Sequence, residues 1–199
     1  MKTTFKSCLL SGAILFLANA GNAAETTLAI DPVHSTLGFK VRHLFSNVEG
    51  HFTKFSGTVR VDPDNPENSS VACTIQTASV DTGVEKRDSH LRTPDFFDAA
   101  KFPTMTFKST KVTKLGPDTA DVAGDFTLHG VTKQIVLHVK FLGKGKGMTG
   151  GLTTGWEATT AIKRSEYGLT WNKVIEGASV VADDVDIDLQ VAADEPPKK

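Results

Sequence analysis

The sequence predicts an all-β protein, a single antiparallel barrel-like domain, and three features carry that prediction. Apolar and polar residues alternate with period two through most of the chain, turn-forming clusters separate the alternating runs, and no repeat of about 20 to 50 residues intervenes. Alternation places one greasy and one polar face on each strand. About eight such strands at short spacing point to an antiparallel sheet closed into a barrel or folded into a sandwich, and the count favours an eight-stranded barrel.

The chain opens differently from its body. Lys2 and Lys6 precede an uncharged run from Ser7 through Ala18, and small residues follow at Ala20-Gly21-Asn22-Ala23-Ala24. That order predicts a secretory signal peptide over residues 1–24, cleaved after Ala23 or Ala24, and hence export to the periplasm. The apolar run is short of the roughly 20 residues a membrane-spanning helix needs, so no transmembrane segment is expected. Cys8 leaves with the leader and Cys73 remains alone, which excludes an internal disulfide. Without Lys2 and Lys6 the chain holds 20 basic and 23 acidic residues, a net charge of −3. This balance argues against a nucleic-acid partner.

The body, residues 25–192, is one domain of ordinary size. Leu37, Phe39 and Val41 share one face of a first strand, and Val59 and Val61 share one face of a second that begins near His51. Phe52 and Phe55 fall in opposite phases, and a bulge between them would turn both inward. Further strands are expected over residues 72–80, 104–112, 119–128, 132–142 and 155–162. In the final strand Val185, Ile187, Leu189 and Val191 alternate with Asp184, Asp186, Asp188 and Gln190. Turns are expected at residues 62–66, 116–118, 129–130 and in the glycine-rich run 143–151. Residues 193–199 predict a disordered tail.

Two segments break the pattern. Residues 81–102 carry charge and three phenylalanines without alternation and predict a short helix and loop capping the barrel; residues 163–171 are a second irregular stretch. The inward phases hold Leu37, Phe39, Val41, Phe55, Ile75 and Phe107, then Phe126, Leu128, Leu137, Val139, Phe141 and Trp156. Two readings of this set stay open, a solid core and an apolar tunnel lined by aromatics.

Four blocks of sequence strongly resemble the YceI family. They are Asp31-Pro32-Val33-His34-Ser35 leading into Phe39-Lys40-Val41-Arg42-His43-Leu44; Lys86-Arg87-Asp88-Ser89-His90-Leu91-Arg92 with Asp95-Phe96-Phe97-Asp98 and Lys101-Phe102-Pro103; Gly124-Asp125-Phe126-Thr127-Leu128-His129-Gly130-Val131-Thr132; and Lys163-Arg164-Ser165-Glu166-Tyr167-Gly168-Leu169. Together they cover residues 29–191 in the family's order. Glu166 and Tyr167 depart from it, standing where Asp and Phe are more usual. The resemblance implies a lipocalin-like antiparallel barrel with an apolar interior, a periplasmic location, and a long polyisoprenoid lipid as ligand, an isoprenoid quinone or a prenyl phosphate. It implies no catalytic reaction and no covalent cofactor. Family members are often homodimers and some take part in stress responses.

On this resemblance the candidate apolar lining adds Phe96, Phe97, Tyr167 and Trp171 from the irregular segments to the inward residues of the strands. The candidate polar mouth is Arg42, His43, Arg87, Asp88, His90, Arg92 and Arg164. A structural ion pair of Arg87 with Asp88, holding the cap closed, competes with headgroup binding there. Other chemistries find little support. His43 and His51 flank a predicted turn near Ser46-Asn47, but no metal-ligand spacing backs a site. Arg87, Asp88 and His90 lack a nucleophile motif beside them, and the glycines at 143–147 lack phosphate-loop spacing. The alternative function is a stress-response or structural module with a self-filled barrel that acts through a protein partner.

Overall fold

The computed structural model describes residues 25–148, 150–172, 174–175 and 178–196. The expected signal peptide and residues 197–199 of the expected tail lie outside the described residues. The strands are β1 (Thr26–Ile30), β2 (Thr36–His43), β3 (Ser46–Phe52), β4 (Phe55–Val61), β5 (Ser70–Gln76) and β6 (Val80–Asp81). After the helix α1 (Glu85–Leu91) come β7 (Thr104–Lys114), β8 (Thr119–Leu128), β9 (Val131–Lys146), β10 (Leu152–Lys163), β11 (Val174–Ile175), β12 (Ala178–Ser179) and β13 (Val181–Asp194). No helix among the described residues is long and apolar enough to cross a membrane.

Eight strands close an antiparallel ring in the order β1-β4-β5-β7-β8-β9-β10-β13, and β13 pairs back to β1. β13 is the seam. One of its edges runs along β10 from Asp184 to Asp194, while the other is shared, taking β2 beside Val181–Gln190 and β1 beside Ala193–Asp194. The β2–β3 hairpin therefore branches from the ring at the seam, with β6 on its outer edge. Closure removes the exposed backbone edge that an open sheet of this size would leave.

Several expected elements shift, each for a local reason. The strand expected from His51 onward is two strands, because the chain turns a corner at Thr53-Lys54. Phe52 and Phe55 are both buried as the end of β3 and the start of β4, with no bulge between them. The Thr53 amide and hydroxyl both donate to the Ser79 carbonyl, which fixes the corner. The strand expected over 72–80 ends at Gln76, and a single 3₁₀ turn at Thr77–Ser79 follows. The glycine run is strand as far as Lys146, since ladder bonds to β10 need only backbone; Gly143 sits at φ +147 beside the register shift at Gly155/Trp156. β13 continues through Asp194 with Ala193 fully buried, so the ordered body runs past residue 192. The short β1 lacks enough alternation to stand out in the sequence. The helix lies where residues 81–102 predict one.

Two inward glycines shape the interior. A Cβ on Gly124 would stand 2.4 Å from the Phe107 ring, and one on Gly50 would stand 2.6 Å from the Phe39 ring. Both rings lie flat across the neighbouring strand because that strand has no side chain there. The aromatics thus line the wall and leave the middle of the barrel open.

Candidate functional site

The barrel encloses a lumen of about 720 Å³, in the middle of the ~300–1,000 Å³ range of small-molecule sites. The self-filled reading of the interior is therefore not what the fold displays. Along β13 the lumen is lined by Val181, Val185, Ile187, Leu189 and Val191, a path of roughly 30 Å at about 3.3 Å per residue. Among the described residues its carboxylates are Asp62 and Asp118, both in turns at one end. Between the ends the described wall residues are largely apolar, so the wall can solvate a hydrocarbon chain.

Of the expected lining, Leu37, Phe39, Val41, Ile75, Phe96, Phe97, Phe107, Phe126, Leu128, Trp156 and Trp171 border the lumen. Phe55 and Tyr167 do not. Phe55 belongs to a second buried cluster with Ile30 and Leu37. Tyr167, at 1% exposure, stands behind Phe126 with ring centroids 5.6 Å apart, and burial raises the pKa of its phenol. Ile187, Leu189 and Val191 were missed as lining although their alternation is plain, because aliphatic residues look like core unless the opposite wall is known. Val48 lies beside the expected turn near Ser46-Asn47 and outside any expected strand, whereas Met105 shares the phase of Phe107 and was passed over although the alternation points to it.

Cys73 also lines the lumen, and burial pushes its thiol up to about 11. The thiol is thus protonated and inert near neutral pH, in keeping with an apolar wall.

The polar candidates gather at one end but divide by role. His43, Arg87, His90 and Arg164 border the lumen, while Arg42 and Asp88 do not. The expected Arg87–Asp88 ion pair is replaced by a relay through Thr82. The Arg87 Nε donates to Thr82 Oγ1 at 2.7 Å and its Nη2 to the Thr82 carbonyl at 2.9 Å, while the Thr82 hydroxyl and amide donate to Asp88 Oδ1 at 2.5 and 3.0 Å. Arg87 Nη1 has no hydrogen bond to a described residue. His90 is bonded through Nε2 to Asp95 at 2.9 Å and meets the rings of Phe96 and Trp171 edge-on at 5.0 and 5.2 Å.

Arg164, only 7% exposed, staples the backbone of the cap from the edge of the lumen. Its Nε donates to the Ala182 carbonyl, its Nη1 to those of Leu169 and Trp171, and its Nη2 to that of Val181, at 2.5 to 3.3 Å. Desolvation lowers its pKa, opposed by the nearby Asp183. Arg92 likewise serves the backbone, donating to the Ala78 and Val80 carbonyls. His43 and His51 do not meet: in the β2–β3 hairpin His43 faces Ser46 and His51 faces Gly38.

A family model described as a YceI-like domain matches residues 28–193. A UPF0312 protein of Vibrio cholerae serotype O1 is 39% identical over 184 residues, covering 92% of this chain and 95% of its own. The crystal structure of a Campylobacter jejuni YCEI protein superposes with a TM-score of 0.69 at 35% identity, covering 78% of this chain and 90% of that one. A polyisoprenoid binding domain from Saccharophagus degradans shares the fold at 20% identity, with a TM-score of 0.63 over 87% of this chain and 100% of its own.

Proposed function

The chain belongs to the YceI-like domain family, and from that premise we propose that it is an exported, non-catalytic carrier holding one long polyisoprenoid-type chain in its lumen. An isoprenoid quinone and a prenyl phosphate both fit this description. The observation that carries the reading is the lumen itself, apolar between its ends and long enough to thread an extended chain. At about 0.8 kcal/mol per buried CH₂, twenty carbons contribute roughly 16 kcal/mol, which exceeds the ~4–15 kcal/mol cost of association. A fold neighbour described as polyisoprenoid binding supports this ligand class. Family and neighbours point to a binding protein, and the apolar wall supports that reading. Export to the periplasm rests on the order of charge, apolar run and small residues in 1–24. Homodimerisation and a part in stress response follow only from the family.

Native mass spectrometry after detergent-free purification tests the reading. The expected spectrum shows a complex heavier than the protein by one lipid, which organic solvent extracts. A protein that stays at its bare mass even after incubation with prenyl lipids would sink the carrier proposal and favour a module that acts through a protein partner.

A further inference from the structure

Phe45 is fully exposed, at 100%, in the two-residue tip Leu44-Phe45 of the β2–β3 hairpin. Single exposed apolar residues are ordinary, but this one is held outward. Leu44 sits at φ +53, a conformation in which a bulky side chain is rare and Asn or Gly is usual. Its amide donates to the Val180 carbonyl at 2.9 Å, which pins the tip. Just before Val180 in the chain runs the β11–β12 hairpin, whose Val174 is 69% exposed. His43 and Val48, on either side of the tip, line the lumen, as do Trp171 and Val181. The apolar tip therefore borders the cap-end opening.

We propose that this tip is a membrane-docking element: Phe45 inserts into the interface of an anionic lipid bilayer and so sets the cap-end opening of the lumen against the acyl region. The inference rests on the lumen being a lipid site. Two observations choose a bilayer over a protein. A stable interface, a second copy included, needs about 800 Å² from each partner, whereas Phe45 projects alone among Arg42, His43, Ser46 and Asn47. A bilayer needs no matching shape and accepts a single aromatic at its interface. Charge at the tip itself points the same way, since Arg42 and His43 are exposed beside Phe45 and the first carboxylate of the hairpin, Glu49, lies beyond Val48 and opposite Lys40. The opposite end also exposes apolar side chains, Leu115, Leu142 and Met148, but there Asp62, Asp64 and Asp118 stand against Lys114, Lys144 and Lys146, a balanced rim without net positive charge to draw an anionic surface.

Flotation of the purified protein with vesicles of phosphatidylcholine, with and without phosphatidylglycerol, tests this. Phe45→Ser is expected to lower partitioning onto the mixed vesicles about tenfold, with an unchanged melting temperature and unchanged lipid content in the purified protein. Phe45→Trp is expected to bind as well as the parent, and Leu115→Ser at the far end to change nothing. Equal partitioning of Phe45→Ser and the parent overturns the proposal. So does a Phe45→Ser protein that loses a dimer by light scattering while keeping its vesicle binding. A parent that docks through Phe45 yet never carries lipid leaves the docking tip standing and removes the carrier reading. A parent that carries lipid but ignores Phe45 does the reverse.

Discussion

At one end of the barrel Arg87, Arg92 and Arg164 donate hydrogen bonds to the chain around them and His90 is bonded to Asp95, whereas at the other end Lys114 and Lys144 reach the rim and make no ion pair or side-chain hydrogen bond with a described residue. The cap end is built from irregular segments with few ladder bonds of their own, so side chains must satisfy the backbone there. The turn end closes by tight reversals, such as Asp62 accepting from the Asp64 and Asn65 amides, and these satisfy themselves locally. Fixed charges can recognise a headgroup at a defined place, while free lysines only add a diffuse field. Any selectivity of the protein therefore belongs to the cap end.

The sharpest break in this comparison is Arg164→Ala. It leaves up to three carbonyls of the cap without their donor, since that of Val181 keeps Asn172, at a cost of about 3 kcal/mol or more, whereas Lys144→Ala at the other rim is expected to stay within about 0.5 kcal/mol. Urea denaturation of both variants checks the asymmetry, and similar midpoints would dismiss it. Between the ends, Gly124→Ala pushes the Phe107 ring off its seat and also crowds the Lys108 carbonyl of the neighbouring strand, 2.7 Å from the added Cβ. The expected cost is roughly 1–3 kcal/mol, with lower lipid content by mass spectrometry. An unchanged lipid load would mean that the ring finds another place along the wall.

Arg87→Ala probes recognition. It removes the hydrogen bonds to Thr82 and is expected to cost about 1 kcal/mol of stability. If Arg87 also meets a headgroup through its Nη1, binding of a prenyl phosphate falls about tenfold while a neutral quinone of equal length is held as before. Equal weakening of both ligands in a competition titration would assign Arg87 to the cap alone.

The regular part of this molecule was legible because alternation encodes it directly. β8 begins and ends where the pattern places it, and the greasy face of β13 is the lumen wall. What stayed hidden depends on contacts between distant segments. Nothing in the row Lys163-Arg164-Ser165 reveals that Arg164 turns back to bind carbonyls from Leu169 to Ala182, and Arg87 beside Asp88 suggests an ion pair until Thr82 is seen between them. Nor could phase decide between core and lumen. That choice is made by absent side chains at Gly50 and Gly124, which let the rings of Phe39 and Phe107 lie flat.

Cys73 gives the mildest test, since it reads the lumen without a substitution. Its thiol faces the lumen midway along β5, paired with Gly57 on one side and Phe107 on the other. Desolvation disfavours the charged thiolate, which is why the pKa stands at about 11. Alkylation proceeds through the thiolate, so the labelling rate of the folded protein is expected to climb about tenfold per pH unit from 7 to 10. A free thiol with a pKa near 8.5 would level off within that range. Two reagents then compare the routes inward. A small apolar maleimide is expected to outpace a charged one of similar size, because the wall excludes charge, and prior loading with a prenyl lipid is expected to slow both. If the charged reagent labels equally fast and lipid gives no protection, Cys73 reaches solvent by a path outside the lumen, and the apolar continuity between the two ends is broken at β5.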